Sequence, residues 1–397
     1  MRPDLQQVFN GGVTTQSHAD LIASLERRLG HAIEFRVCEM PIIISSAFAS
    51  EMSSAAQEII EECLSAENLE RSAYTLQSRY SVRHESARPL FSVVDFAVTT
   101  NESGAYVPRL IELQGFPSLF GYQWMLTQEF MRQYGLNTVT PFLSGLDDGS
   151  YAALLRSVIF ADCDPREVAL VEIDPEKQKT RPDFVAMHEL IGLQTVNIRH
   201  VKKSGRGLFW TDADGHTRPL RRIFNRAIID ELDELGVDLS FSWNDDLDVD
   251  WAGHPNWYFR ISKFLLPYLR HHTVPRCVRV SDVTESLLKE LDAYVLKPLY
   301  AFAGKGVNVR PTLADLEAVP VEERSEWILQ ERVQYAPCVP TPEGANYVEI
   351  RIMLVWPDAQ PRPVPVMTLA RTGRGALMGA RYNVIPWTGS SGCLIAP

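Results

Sequence analysis

The chain contains no Cys-x-x-Cys pair; its six cysteines stand scattered at 38, 63, 163, 277, 338 and 393. This spacing argues against a zinc ribbon and a disulfide framework. No apolar run reaches the roughly 18 residues that a membrane-spanning helix needs. The opening residues Met1 to Leu5 lack the apolar core of a secretory signal. These absences lead us to expect a cytoplasmic protein with reduced thiols. Basic residues are also in deficit, 39 Lys+Arg against 50 Asp+Glu, for a formal charge of −11. That balance excludes a mainly electrostatic nucleic-acid binder but leaves room for a local basic cleft. Acidic residues stop early: none follows Asp358. Glycine (23) and proline (25) show no period, so a collagen-like or low-complexity chain is excluded.

What remains is ordinary globular material, 397 residues with 45% apolar and 22% charged. The length suits two or three domains of about 150 residues, or one composite fold. Apolar residues at helical spacing predict helices over 19–29 and 47–64, within an N-terminal helical segment 1–87. Strands are predicted over 90–99 and 106–114, joined by a turn at Asn101 to Gly104. A helix is expected over 119–134, a strand over 168–173, a helix over 183–191 and strands over 196–201 and 208–212. Strand then helix is expected over 223–235. These elements form a central α/β part, 88–250, with the presumed substrate-binding region. The last part, 251–397, opens with an aromatic helical stretch over 254–269. Strands are expected at 294–298, 327–333, 347–356 and 364–371. The alternation predicts an α+β fold with mixed or antiparallel sheets and flanking helices.

Three segments of the last part carry chemistry. Lys297 ends the apolar strand from Tyr294, Pro298 closes it, and a loop with Ala303, Gly304, Lys305 and Gly306 follows. Glycines let backbone N–H groups approach phosphates, and a lysine at the base supplies a point charge. An ordinary strand and turn with a surface lysine is the alternative. Lys263 lies in an aromatic helix, as a phosphate ligand or as a lysine snorkelling to solvent. The strand from Trp327 ends at Gln330, Glu331, Arg332 and Val333, either a hinge holding an adenine edge or a plain edge strand. In the strand from Tyr347, Glu349 and Arg351 share one face and Val348, Ile350 and Ile352 the other. An arginine there suits a triphosphate, or else a cross-strand ion pair.

In this order the segments resemble the ATP-grasp superfamily. The closer resemblance is to the circularly permuted synthetase domain of glutathionylspermidine synthases. Ser262 to Pro267 is similar to that family's lysine-bearing helix, and Lys297-Pro298 with Gly304 and Gly306 to its second lysine and glycine loop. The resemblance covers roughly 88–120 and 250–390. It implies a glycine-loop lid, ATP and Mg²⁺ as cofactors, and Lys263, Lys297, residues 303–306 and the 330–333 hinge as nucleotide contacts. It further implies an acyl-phosphate mechanism, with Lys297 and Arg351 catalytic. Three departures stand out: the hairpin loop is longer than the family's, the glycine loop reads Ala-Gly-Lys-Gly where the family has an Arg-Glu-Gly type, and Gln114 stands where it has asparagine.

Magnesium needs hard oxygen ligands, and the acid-free C-terminal stretch cannot supply carboxylates. The hairpin at 91–114 can. Pairing around its turn places Asp95 opposite Glu112, with Gln114 on the same face. Val94, Phe96, Val98, Ile111 and Leu113 are expected on the apolar face. Opposed carboxylates repel unless a cation or proton intervenes. The permuted family arrangement makes Asp95, Glu112 and Gln114 the expected metal set, a half-exposed polar sheet being the alternative. Arg226 and Arg88 are candidate substrate contacts, or solvated surface. Gly373, Gly375 and Gly379 open no helix after a βα strand, so they form no dinucleotide fingerprint. The expected function is an ATP-dependent carboxylate–amine ligase acting on a small acid and a small amine, without nucleic acid or membrane. A small-molecule kinase or a non-catalytic nucleotide binder on the same scaffold are the alternatives. The acid, the amine and the oligomeric state are not legible.

Overall fold

The longest apolar alternations of the chain meet in one sheet. A computed structural model describes residues 1–76, 79–300, 306–379 and 382–397. Its largest sheet has seven strands: β1 (Ile42–Ser45), β2 (Phe91–Thr100), β3 (Tyr106–Gln114), β14 (Val339–Thr341), β15 (Gly344–Val355), β16 (Val364–Gly373) and β17 (Gly389–Ala396). Their order is β1-β17-β16-β15-β2-β3, with β14 on the start of β15. Only the β1–β17 pair is parallel. A parallel sheet holds β4 (Val168–Glu172), β5 (Gln194–Asn197), β9 (Arg222–Asn225) and β10 (Asp250–Ala252) in the order β10-β9-β4-β5. An antiparallel meander joins β6 (Lys202–Ser204), β7 (Gly207–Thr211) and β8 (Thr217–Leu220). The fourth sheet is β11-β13-β12, from Cys277–Arg279, Trp327–Glu331 and Tyr294–Pro298. The chain is thus mixed α+β with flanking helices, as expected.

Helices α1 (Pro3–Gly11), α2 (Thr15–Leu29), α3 (Ser46–Cys63) and α4 (Ala66–Ala73) form the N-terminal segment. Ser45 caps α3 by accepting the Phe48 N–H. The helix buries Phe48, Met52, Ala55, Ala56, Ile59, Ile60 and Cys63, spaced as one helical face. That face packs on Val94, Phe96, Val348, Ile350 and Ile352 of the large sheet. The sheet's other face is covered at one end by α2 and by α5 (Phe120–Tyr134), α6 (Asp148–Phe160) and α7 (Arg181–Ile191), against Phe91, Val93, Met353, Val355 and Met367. No helix among the described residues is long and apolar enough to cross a membrane. The cysteines are free thiols.

Two local features position the cleft, and both depart from the sequence reading. The β2–β3 hairpin turns where expected, with Asn101 accepting the N–H groups of Ser103 and Ala105. Its register then shifts: Phe96 faces Leu110 while Asp95 faces Glu112. Ile111 is the extra residue of this β-bulge. Leu110 and Leu113 therefore enter the core, and Ile111 turns to the polar face instead of the apolar face expected for it.

The helical stretch expected over 254–269 is broken. It comprises a short helix, Asn256–Arg260, and a 3₁₀ turn over Lys263–Tyr268, because Ile261 is extended and Pro267 lacks a donor. At the break, the Gly115 N–H donates to the Ile261 carbonyl at 2.9 Å. A Cβ on Gly115 would lie 2.4 Å from the Trp257 carbonyl oxygen, so only glycine lets the 256–260 helix sit this close to the end of β3.

Candidate active site

Where the helices stop covering the large sheet, its exposed face turns polar. Two adjoining lobes open there, of about 130 and 420 Å³, beneath the β11-β13-β12 sheet. The smaller lobe collects Asp95, Glu112 and Gln114 from the hairpin, Lys263 from the 3₁₀ turn, Lys297 from β12 and Arg351 from β15. These are the residues that sequence reading proposed for metal, phosphate and catalysis. It also collects Glu349, Arg371 and Tyr382, which sequence reading did not assign.

The close approach at Gly115 brings the Lys263 Nζ within 3.0 Å of Glu112 Oε1. Lys297 Nζ donates to Gln330 Oε1 at 2.5 Å, and the Gln330 amide donates to the Leu110 carbonyl. Gln330 thus holds the second lysine rather than standing free. Burial pulls the Lys297 ammonium below its usual value, with Lys263 adding to that and Glu112 opposing it. Burial pushes the Glu112 carboxyl up, but Lys263 and Lys297 outweigh it and the net direction is down.

Asp95 is only 2% exposed, and both its oxygens are engaged. Register places it directly opposite Arg351, which grips it with both prongs, Nε to Oδ1 at 2.6 Å and Nη2 to Oδ2 at 2.7 Å. Arg371 Nη2 adds a third bond to Oδ2 at 2.6 Å. Burial alone would raise this carboxyl; the two arginines drive it far below the carboxylate range. The cross-strand ion pair foreseen as the alternative for Arg351 is thus present. Glu349 stands beside it, accepting from the Tyr335 hydroxyl at 2.5 Å and lying 3.5 Å from Arg371. Burial raises its carboxyl, against the pull of Arg371.

The larger lobe is lined by Lys297, Gln330, Glu331, Arg332 and Val333, with Val295, Val307 and Val309 as its apolar wall. The N–H groups of Glu331 and Arg332 are spent on the carbonyls of Arg276 and Ala293. Of the expected lid, Ala303, Gly304 and Lys305 lie outside the described residues. Gly306 has φ +73 against Pro298, and beyond it Asn308 pairs with Leu296 through two backbone hydrogen bonds of 2.9 Å. The chain therefore returns beside β12 after the loop.

Arg88 and Arg226 line neither lobe. Arg88 donates to the carbonyls of Asp358 and Gln360 and stacks on Trp356. Arg226 is buried, donates to the Pro117 carbonyl, lies 3.8 Å from Asp183 and packs between Phe116 and Phe184. It holds the connection that follows Gln114; a substrate contact by either arginine would require rearrangement. A wider depression of about 750 Å³ between α2 and α5 is open to solvent, and its Arg28 and Arg132 are already paired with Glu129.

Among the described lining residues, four cations (Lys263, Lys297, Arg351, Arg371) face three carboxylates (Asp95, Glu112, Glu349). In a chain of charge −11 this is a local positive excess, suited to anionic ligands. Carboxylate and amide oxygens of Asp95, Glu112 and Gln114 on one sheet face fit a hard divalent cation. For Asp95 to serve, it must leave at least one arginine.

No family model and no curated protein matches the chain. Among solved structures it is similar to a glutathione synthetase-like effector from Globodera pallida in its apo form. The TM-score is 0.59 at 11% identity, over 90% of this chain and 94% of that one. A second, a putative gamma-glutamylcysteine synthetase from Methylobacillus flagellatus, aligns at TM-score 0.37 and 13% identity, over 88% and 89% of the two chains. The first likeness shows that the two chains share a fold at the level of chain path.

Proposed function

We propose that this chain is an ATP- and Mg²⁺-dependent carboxylate–amine ligase of the ATP-grasp type. The observation that carries the reading is convergence. Lys263, Lys297, Arg351, Asp95 and Glu112 come from four separate stretches of chain and line one cleft. The 420 Å³ lobe beside it has a nucleotide's size and a partly apolar wall. The synthetase-like fold is consistent with this, and the finer resemblance to glutathionylspermidine synthases remains part of the proposal.

In this reading, the larger lobe takes the base, with Val333 and Gln330 at its hinge. Lys263 and Lys297 neutralise the phosphates, and residues 303–306 close over them. Asp95, Glu112 and Gln114 would hold magnesium, which when bound would supply charge neutralisation on the phosphates. An oxygen of the substrate carboxylate attacks the γ-phosphorus, the bridging P–O bond breaks, and ADP leaves. The amine then attacks the acyl carbon, loses a proton and expels inorganic phosphate. Arg351 is the arginine that the resemblance assigns to the γ-phosphate or acyl phosphate. Exclusion of water protects the acyl phosphate from hydrolysis. The free thiols fit a reducing, cytoplasmic setting.

Product analysis tests the reaction class. The protein is incubated with ATP, Mg²⁺ and pooled small acids, with and without pooled amines. ADP and phosphate released together only when an amine is present support the ligase. AMP with pyrophosphate rejects the acyl-phosphate route. A phosphorylated acid accumulating without amine identifies a kinase.

A further inference from the structure

The two arginines on Asp95 are not equivalent. Arg351 is 6% exposed at its side chain, and its fork is closed on both oxygens of the carboxylate. Moving it would break both of its bonds to Asp95 and leave its own buried charge unpaired, which is costly. Arg371 is 27% exposed and holds Asp95 through Nη2 alone. Its Nε is buried and has no hydrogen-bond partner among the described residues. A buried donor without an acceptor is a standing cost that an incoming oxyanion removes. Arg371 also lies 3.5 Å from Glu349, so it can leave Asp95 without losing every negative neighbour.

Resting on the ligase reading, we propose that Arg371, rather than Arg351, is the arginine that contacts the terminal phosphoryl group. In this arrangement Asp95 serves as its stand-in anion. Arg351 then acts as a positioning residue that fixes Asp95, and Arg371 swings from one carboxylate oxygen to the phosphoryl oxygens. Its guanidinium offers the Nε and Nη2 prongs that suit two such oxygens. The same movement takes one of the two hydrogen bonds off Asp95 Oδ2 and opens that oxygen's remaining lone pair to the metal set, so cation and anion binding favour each other.

The test compares ADP with the non-hydrolysable β,γ-imido analogue of ATP, titrated calorimetrically with magnesium. Parent, Arg371→Gln and Arg371→Lys are used, with inorganic phosphate as a separate arm. In Arg371→Gln, Asp95 keeps its Arg351 fork, so the sheet is expected to stay folded; the denaturation midpoint checks this. The expected result is about tenfold or greater loss of affinity for the imido analogue, as for a lost charged hydrogen bond. ADP affinity should stay within about twofold, and lysine should restore part of the loss. Inorganic phosphate weakening in parallel, with ADP unmoved, also supports the assignment and marks a general phosphate subsite. Equal weakening of ADP and the analogue, or no change in either, overturns it. ADP binding by the parent sustains the nucleotide reading even then, whereas a parent that binds neither nucleotide overturns both.

Discussion

One face of the seven-stranded sheet is used in two ways along the same strands. Toward one end, Phe91, Val93, Met353 and Val355 are sealed beneath α5 and its neighbours. A few residues along, the same alternation places Asp95, Glu112, Glu349, Arg351 and Arg371 in an open cleft. Pairing of β15 with β2 runs without a register shift from Glu349 to Val355, and pairing with β16 slips once, between Met353 and Leu354. The difference lies in the cover: helices meet the apolar end, and a separate small sheet stands over the polar end. The apolar end gains stability by excluding water. The polar end spends some of it, holding charges that are paired but imperfectly placed. Sites built on strands shared with the core inherit the rigidity of that core.

Substitutions at the two ends can break this contrast. Asp95→Asn should have the largest effect, because it strips a buried carboxylate from Arg351. A loss of about 3–5 kcal/mol is expected in urea denaturation, with magnesium-dependent nucleotide binding weakened as well. An unchanged midpoint would show that the ion cluster does not brace the sheet. Met353→Ala, at the sealed end, should cost about 2–5 kcal/mol through its cavity. Nucleotide affinity of the molecules that remain folded should not change. A large drop in their affinity would mean that the two ends are not separable.

Glu172, at the end of β4 in the parallel sheet, sharpens the contrast between well-paired and poorly paired carboxylates. Burial lifts it to about 7, and the opposing pull of Arg226, which is already engaged elsewhere, is too weak to reverse this. Its folded-state pKa lies above the unfolded value, so the folded state holds the extra proton and the parent loses stability as pH rises from about 4.5 to 7. Glu172→Gln removes that dependence. The variant should gain on the parent across this window by an amount on the order of 3 kcal/mol, then level off. A pH-independent difference between variant and parent would contradict the assignment. Asp95 has the opposite sign: its stability is present above the ordinary aspartate range and lost as pH falls through and below it.

Sequence was informative where chemistry is local. The hairpin turn at Asn101, the facing pair Asp95 and Glu112, and strand β12 ending at Lys297-Pro298 follow from alternation and turn residues. The gathering of both lysines with Arg351 was legible through family resemblance. The bulge at Ile111 was not, since one extra residue in a strand leaves no mark in an apolar run. Strand β1 and strand β17 escaped because they are paired with each other across nearly the whole chain. Arg371 was missed although β16 itself was expected. Alternation from Met367 and Leu369 puts Arg371 on the cleft face, yet only the pairing of β15 with both β16 and β2 brings it to Asp95. The break at Ile261, which delivers Lys263 to Glu112, depends on contact with Gly115 rather than on local propensity.

The central claim is that the polar end of this sheet face is a magnesium–nucleotide site built around Lys297. Calorimetric titration of ATP into the parent and into Lys297→Ala, with and without magnesium, tests it most directly. The account predicts magnesium-dependent binding by the parent and its loss in the variant, at a closely similar denaturation midpoint. Absence of ATP binding by the parent, or equal binding by the two proteins, would contradict it.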